Sequence, residues 1–156
     1  MPRTTPACTK AGRSAIYITA GNPDCHVILR GGNSGPNYDS DSVHHAVEGL
    51  ARAGLAPRLM IDCSHANSRK KPTRQIEVAR DVCAQVASGS DAVMGVMLES
   101  HLVEGRQDVV PGEPLTYGQS ITDACIAWED TEALLLELAQ AVRARRAAQG
   151  LHKQTG

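Results

Sequence analysis

The 156-residue sequence contains no phenylalanine, one tryptophan and three tyrosines. Any core it forms is therefore mainly aliphatic. Neither sign of charge is in excess: 16 Lys and Arg face 17 Asp and Glu, for a net charge of -1. That balance excludes the basic footprint of a nucleic-acid binder and a strong attraction to acidic membranes. No apolar run approaches the ~20 residues of a membrane-spanning helix, and the opening Met-Pro-Arg-Thr-Thr-Pro has none of the features of a signal peptide. The five cysteines, at 8, 25, 63, 83 and 125, form no Cys-x-x-Cys pair. They read as reduced thiols, with a cytoplasmic location as the expectation. Internal repeats, low-complexity tracts and long charge blocks are also missing. What is present suffices for one folded unit: 42% apolar and 21% charged residues, the balance of a globular domain.

Along the chain, the first nine residues carry two prolines and no apolar periodicity, which predicts an irregular segment. Ser14–Thr19 and His26–Arg30 read as short strands separated by the turn-rich Ala20–Cys25, which predicts a hairpin between them. After the glycine-rich loop 31–37, Asp41 or Ser42 is placed to cap a helix carrying Val43, Ala46, Val47 and Leu50, and Gly54 is placed to end it. Leu59–Ile61 is an apolar strand. Thr73–Ala87 has helical spacing, with Ile76, Ala79, Val82, Cys83 and Val86 on one side. Ala92–Leu98 is the most apolar strand, and a polar loop runs from Glu104 to Ser120. A last helix starts near Asp130 and ends in Arg143, Arg145 and Arg146, a basic cluster suited to a helix C-terminus. Apolar strands alternating with amphipathic helices predict a parallel sheet covered on its faces, an α/β architecture of which the (β/α)-barrel is the extreme case.

Each of these strands ends in chemically capable residues, and active sites of α/β folds gather at the carboxyl ends of parallel strands. His65, Glu99 and Asp123 come from three successive strand-end loops. One imidazole and two carboxylates form a mixed N and O set that accepts Mn, Fe(II), Co or Zn. The plainer role for the same residues is a backbone-capping histidine and two solvated carboxylates. Arg30, at a strand end before two glycines, suits a phosphate or carboxylate; a structural ion pair with a neighbouring loop fits it equally. His101 and Glu104 have spacing that suits support of the ligands, or plain surface roles. Ser64 lacks the Gly-x-Ser-x-Gly surroundings of a hydrolase nucleophile. Cys63 and Cys125 flank the candidate ligands, although buried structural thiols account for them as well.

Four strings go beyond composition. They are Ala20-Gly21-Asn22-Pro23-Asp24-Cys25-His26-Val27-Ile28-Leu29-Arg30-Gly31-Gly32, Met60-Ile61-Asp62-Cys63-Ser64-His65-Ala66-Asn67-Ser68, the run 95–105 around Leu98-Glu99-Ser100-His101, and the run 117–131 around Ile121-Thr122-Asp123-Ala124. In this order they resemble the class I 3-deoxy-7-phosphoheptulonate (DAHP) synthases, over about Lys10 to Arg146. The resemblance implies the C-terminal portion of a (β/α)8 barrel with an inserted β-hairpin at about Ser14 to Arg30. In units, it implies an unmatched segment 1–9, a partial barrel 10–149 and a tail 150–156. The implied activity is the condensation of phosphoenolpyruvate with erythrose 4-phosphate, with release of phosphate, at the head of the shikimate pathway.

By the same resemblance His65, Glu99 and Asp123 are the ligands of a divalent metal (Mn, Fe, Co or Zn). Arg30, His65 and Asp123 are catalytic residues, with Arg30 holding phosphoenolpyruvate and Asp123 contacting the sugar phosphate. The hairpin is implied to help form a feedback site for an aromatic amino acid. The family's Gly-Pro-Cys-Ser string, which brings a fourth ligand, and its Gly-Phe-Lys-Asn-Gly string are not found here. The expectation that follows is a homo-oligomer or a chain that works with a missing N-terminal half. A non-catalytic partner or fragment is the alternative.

Overall fold

The computed structural model describes residues 3–22 and 24–153. Its elements, in chain order, are β1 (Arg3–Cys8), β2 (Ser14–Thr19), β3 (Val27–Leu29), α1 (Ser40–Arg52), β4 (Leu59–Asp62), α2 (Arg74–Ala87), β5 (Val93–Met97), β6 (Val103–Arg106), β7 (Gln119–Ser120) and α3 (Trp128–Lys153). The fold is mixed α/β. A parallel sheet in the order β3-β4-β5 is its centre, and a β1-β2 hairpin and a small β6-β7 pair form two separate sheets.

The parallel sheet forms where continuous apolar runs let strands be buried on both faces. Leu59 and Ile61 of β4 are fully buried, and Val93 of β5 lies with them. Helices α2 and α3 pack together over this core through Val78, Val82 and Leu134, and Ile126, from the segment before α3, is buried in the same core. On their outer side Arg80 donates two nearly parallel hydrogen bonds to Glu137, at 2.9 and 3.0 Å. This pairing holds the Glu137 carboxyl below the usual range. The pairing of β4 with β5 shifts by one residue after Leu59, so Met60 lies opposite Gly95. A Cβ on Gly95 would stand 3.0 Å from the Met60 side-chain terminus.

Several expectations are corrected. The strand at Ser14–Thr19 does not pair with the one at His26–Arg30. It pairs antiparallel with β1, from Arg3 opposite Thr19 to Cys8 opposite Ser14. The described part of the segment expected to be irregular is therefore a strand, and residues 1 and 2 lie outside the described residues. The turn that permits this is Thr9–Arg13, where Gly12 takes φ +73° and its N–H donates to the Thr9 carbonyl. Pro6 is tolerated because β1 pairs on one side only, as an edge strand does. Released from the hairpin, β3 pairs parallel with β4, Val27 opposite Leu59.

The capping residue of α1 is Asp39, ahead of the expected Asp41 or Ser42. Its carboxylate accepts from the Ser42 N–H at 2.9 Å and the Ser42 hydroxyl at 2.8 Å. On the helix at 74–87 the expected Ala79, Val82 and Val86 are buried and Ile76 and Cys83 pack partly buried against the core; the buried face is wider than expected and also takes in Gln75 and Val78. At the other end α3 continues through Lys153, past the expected boundary at 149; residues 154–156 of the expected tail lie outside the described residues. No helix among the described residues is long and apolar enough to cross a membrane.

Candidate metal centre

His65 follows β4 directly, in a turn where the chain reverses over six residues. The Lys70 N–H donates to the His65 carbonyl at 2.8 Å. His65, Arg69 and Lys70 all take positive φ, at 47°, 53° and 58°. A non-glycine residue pays of order 1–2 kcal/mol for that conformation, so three in one turn mark a segment held in place by its surroundings. Part of that hold comes from Asn67, which is fully buried. Its amide donates to the Leu29 carbonyl at 3.1 Å and the Asp62 carbonyl at 2.7 Å, while its Oδ1 accepts from the Asn37 N–H at 2.8 Å. Asn37 Oδ1 in turn accepts from the Gly31 N–H at 2.7 Å. The ends of β3 and β4 are thereby tied to one turn. Gly31 runs so close beneath it that a Cβ would meet Ala66 Cβ at 2.8 Å.

Glu99 lies just past the end of β5, and three fixed groups aim it. Its N–H donates to Gln75 Oε1 at 2.8 Å, and Gln75 Nε2 donates back to its carbonyl at 3.1 Å. The Ser64 hydroxyl donates to Oε2 at 2.6 Å, leaving Oε1 for the cavity. Asp123 arrives from the loop between β7 and α3. That loop is drawn over the end of the sheet by Ile126 N–H to the Glu99 carbonyl, 3.0 Å, and by a reciprocal pair between Gly105 and Cys125.

The result brings three of the four sequence-derived residues together. His65, Glu99 and Asp123 each offer one donor atom, and these atoms lie within 4.8 Å of one another. His65 Nε2 and Glu99 Oε1 are 3.6 Å apart. That spacing exceeds a hydrogen bond and suits two donors sharing an ion about 2.1 Å from each. The imidazole's other nitrogen, Nδ1, is buried and faces the fully buried Asp62 carboxylate at 2.7 Å. The contact is an ion-pair distance without hydrogen-bond alignment, and Nδ1 has no other partner. A carboxylate behind Nδ1 favours the tautomer that leaves the Nε2 lone pair facing the cavity. The cavity has a volume of about 200 Å³. Arg30 is exposed at the end of β3 and is not among its lining residues.

Several residues that serve this site escape a reading of sequence alone. Gln75 had a signal, since it falls on the apolar face of α2 in register with Val78, Ala79, Val82 and Val86. A buried amide in such a row needs a polar partner. Asp62 had another, three residues before His65 at a strand end. Ser64, weighed only as a nucleophile, is a donor to Glu99 instead. Lys70 and Arg106, which line the cavity, had no signal beyond their charge. Cys63 beside Asp62 is no candidate ligand as a free thiol: burial, and then the Asp62 charge, pushes it up to about 12. Cys125 is pushed up in the same way, chiefly by burial.

Comparison with known proteins gives a consistent result. The sequence profile of the DAHP synthetase I family matches residues 3–136. The Phe-sensitive phospho-2-dehydro-3-deoxyheptonate aldolase of Escherichia coli is 60% identical over 138 residues, 88% of this chain and 39% of that protein. The tyrosine-inhibited enzyme of that name from Schizosaccharomyces pombe is 50% identical over 149 residues, 93% of this chain and 40% of that protein. Among solved structures, the phospho-2-dehydro-3-deoxyheptonate aldolase of Francisella tularensis superposes with a TM-score of 0.81 at 46% identity. It covers 93% of this chain and 42% of its own. The chain thus spans about two fifths of the length of the curated relatives it matches.

Proposed function

The chain belongs to the DAHP synthetase I family, and from that premise we propose that it forms the metal-binding part of an enzyme that condenses phosphoenolpyruvate with erythrose 4-phosphate. The products are 3-deoxy-D-arabino-heptulosonate 7-phosphate and phosphate. The observation that carries this reading is the convergence of His65, Glu99 and Asp123 at the carboxyl end of a parallel sheet. The donor set fits a divalent cation. Nε2 is turned to the cavity by the carboxylate behind Nδ1, and Glu99 Oε1 is left free by the Ser64 hydroxyl. An ion held there would act as a Lewis acid on the sugar aldehyde. Manganese, iron, cobalt and zinc all accept the set.

The protein's own residues have separate tasks in this reading. Asp62 orients His65, Ser64 and Gln75 orient Glu99, and Asp123 adds the third donor and a contact for the sugar phosphate. Arg30, outside the cavity, holds phosphoenolpyruvate from the neighbouring strand end. Enclosure of that substrate comes from polypeptide beyond these 156 residues. The sheet supports this: β3 and β5 pair only with β4 among the described residues, so both outer edges are open, and exposed Val27, Ile28 and Met94 line them. Open apolar edges are what further strands of a (β/α)8 barrel would cover. The β1-β2 hairpin, with Ile16 and Ile18 exposed, belongs in this reading to a site for an aromatic amino acid effector. The names of the relatives, Phe-sensitive and tyrosine-inhibited, support that class of effector.

The test is phosphate release from the two substrates with Mn(II), for the chain alone and mixed with the N-terminal part of a relative. The expectation is background turnover alone and activity on mixing, lost in Glu99→Gln. Turnover by the chain alone near that of a full-length relative contradicts the need for further strands. Activity on mixing that survives Glu99→Gln contradicts the assignment of the site.

A further inference from the structure

We propose that Lys70 and Arg106 form a phosphoryl-binding subsite beside the metal position, selective for a phosphoryl dianion over a carboxylate and coupled to the cation. This inference rests on the metal reading of His65, Glu99 and Asp123 and assigns two residues that neither the motifs nor the triad include. Both residues line the cavity that the triad lines, and they reach it from different elements.

Lys70 is fixed relative to His65. Its N–H closes the turn on the His65 carbonyl at 2.8 Å, and its own φ of 58° is held within that turn. The ion pairs of the described residues leave Lys70 without a carboxylate partner. Arg69 and Lys71 flank it, exposed, so the rim of the cavity on this side is basic. Arg106 closes β6 opposite Ser120 of β7, and the next N–H, of Gln107, donates to the Ser120 carbonyl at 2.8 Å. Its Nη2 meets Asp108. A guanidinium carries five N–H donors, so the fork keeps donors for a second acceptor.

The charges of the cavity wall explain why the ligand is an anion and why it follows the cation. Glu99 and Asp123 oppose Lys70 and Arg106 one for one. A divalent cation on the carboxylates leaves the wall with an excess of two positive charges. Asp62, behind the imidazole, and Asp108, beside the guanidinium, bring the wider count to zero, so the excess of two belongs to the groups that line the cavity and meet a ligand there. A phosphoryl dianion reaching from the cation to the two basic side chains neutralises it, with several oxygen acceptors for several donors. A carboxylate carries half the charge and fewer acceptors. Since each ligand favours the other, linkage requires phosphate to tighten the cation by the factor by which the cation tightens phosphate.

The experiment is a Mn(II) titration of the 156-residue chain, followed by the electron paramagnetic resonance of the free ion. It is run with inorganic phosphate, with glycerol 3-phosphate and with acetate at equal ionic strength. The same titrations are made on Lys70→Gln, Arg106→Gln and the double variant, with circular dichroism confirming the fold. Complexation of Mn(II) by phosphate in solution is common to all proteins and cancels. The expected result is about tenfold tighter Mn(II) binding with either phosphate in the wild type. Acetate should give little effect, and the double variant less than about twofold tightening. Equal tightening in wild type and double variant, or none in either, overturns the subsite. Tightening by acetate as large as that by the phosphates overturns the selectivity for a dianion. No saturable Mn(II) binding, or binding unchanged in Glu99→Gln, overturns the metal reading itself and this inference with it.

Discussion

Gln75 and Glu99 are joined by two reciprocal hydrogen bonds, Glu99 N–H to Gln75 Oε1 at 2.8 Å and Gln75 Nε2 to the Glu99 carbonyl at 3.1 Å. A buried helix side chain thereby holds the backbone of a candidate ligand. The Glu99 carbonyl has a second donor in the Ile126 N–H, whereas its N–H depends on Gln75. Gln75→Ala should therefore cost about 1–3 kcal/mol of stability through the unpaired N–H. It should also weaken Mn(II) binding about 10–100-fold, the usual effect of losing a group that orients a ligand. Gln75→Glu keeps the acceptor for the N–H but sets a carboxylate against the carbonyl, and should lose metal affinity too. Calorimetric Mn(II) titration of both variants checks this; unchanged affinity in Gln75→Ala would reduce Gln75 to a packing role.

Gly31→Ala should be among the most damaging small substitutions. The position has φ +73°, and the new Cβ would lie 2.8–2.9 Å from Ala66 and the Asn67 backbone. Backbone cannot yield as a flexible side chain can, so the 66–67 turn must move, and His65 with it. A loss above about 1 kcal/mol, read by urea denaturation, should accompany weaker Mn(II) binding. A variant with wild-type midpoint and wild-type affinity would contradict the close approach.

Asp39 caps α1, and its hydrogen bonds from the Ser42 N–H and hydroxyl lower its pKa from 3.8. The hydrogen bonds favour the ionised carboxylate, so the folded state holds the Asp39 proton less tightly than the unfolded state does. Its contribution is therefore fully present above the unfolded value of 3.8 and lost as pH falls through the lowered folded value. At neutral pH Asp39→Ala should cost about 1 kcal/mol, as caps of this type do. On acidification the gap between wild type and variant should close. Thermal melts from pH 7 downward read the difference; a constant gap at all pH values would sink the assignment.

Cys63 acts at the opposite end of the pH scale. Burial raises its pKa from 9.0 to about 12. Between those values the unfolded thiol has lost its proton and the folded one has kept it. The unfolded state then binds fewer protons, so stability falls as pH rises, by up to about 1.4 kcal/mol per unit for this group. Cys63→Ala should flatten the alkaline limb of the stability curve. In native protein the exposed Cys8 and Cys25 should alkylate well before Cys63, as mass spectrometry of iodoacetamide-treated protein would show. Early labelling of Cys63 would contradict its burial.

The alternation of β3, α1, β4, α2, β5 and α3 was legible because each strand is an apolar run and each helix an apolar stripe. His65 and Glu99 stood out because they end such runs. The β1-β2 pairing was not legible: β1 is polar and contains Pro6, and its turn at Gly12 is no stronger a signal than the Ala20–Cys25 stretch that competes with it. β6 and β7 were hidden in a glycine- and proline-rich loop, since β7 is two residues long and pairs across some dozen intervening residues. The apolar stripe of α2 was read too narrowly, because Gln75, a polar residue, sits on the buried face with it. That same residue marks the site. Asn67 and Asn37 escaped because a side chain that bonds to distant backbone leaves no periodic trace in sequence.

The central claim is that His65, Glu99 and Asp123 hold one divalent cation. Calorimetric titration of the chain with Mn(II), beside His65→Ala, Glu99→Gln and Asp123→Asn, tests it most directly. The account predicts saturable binding of one ion per chain, weakened at least about tenfold by each substitution. Undiminished binding in the combined triple variant, or none in the wild-type chain, would contradict it.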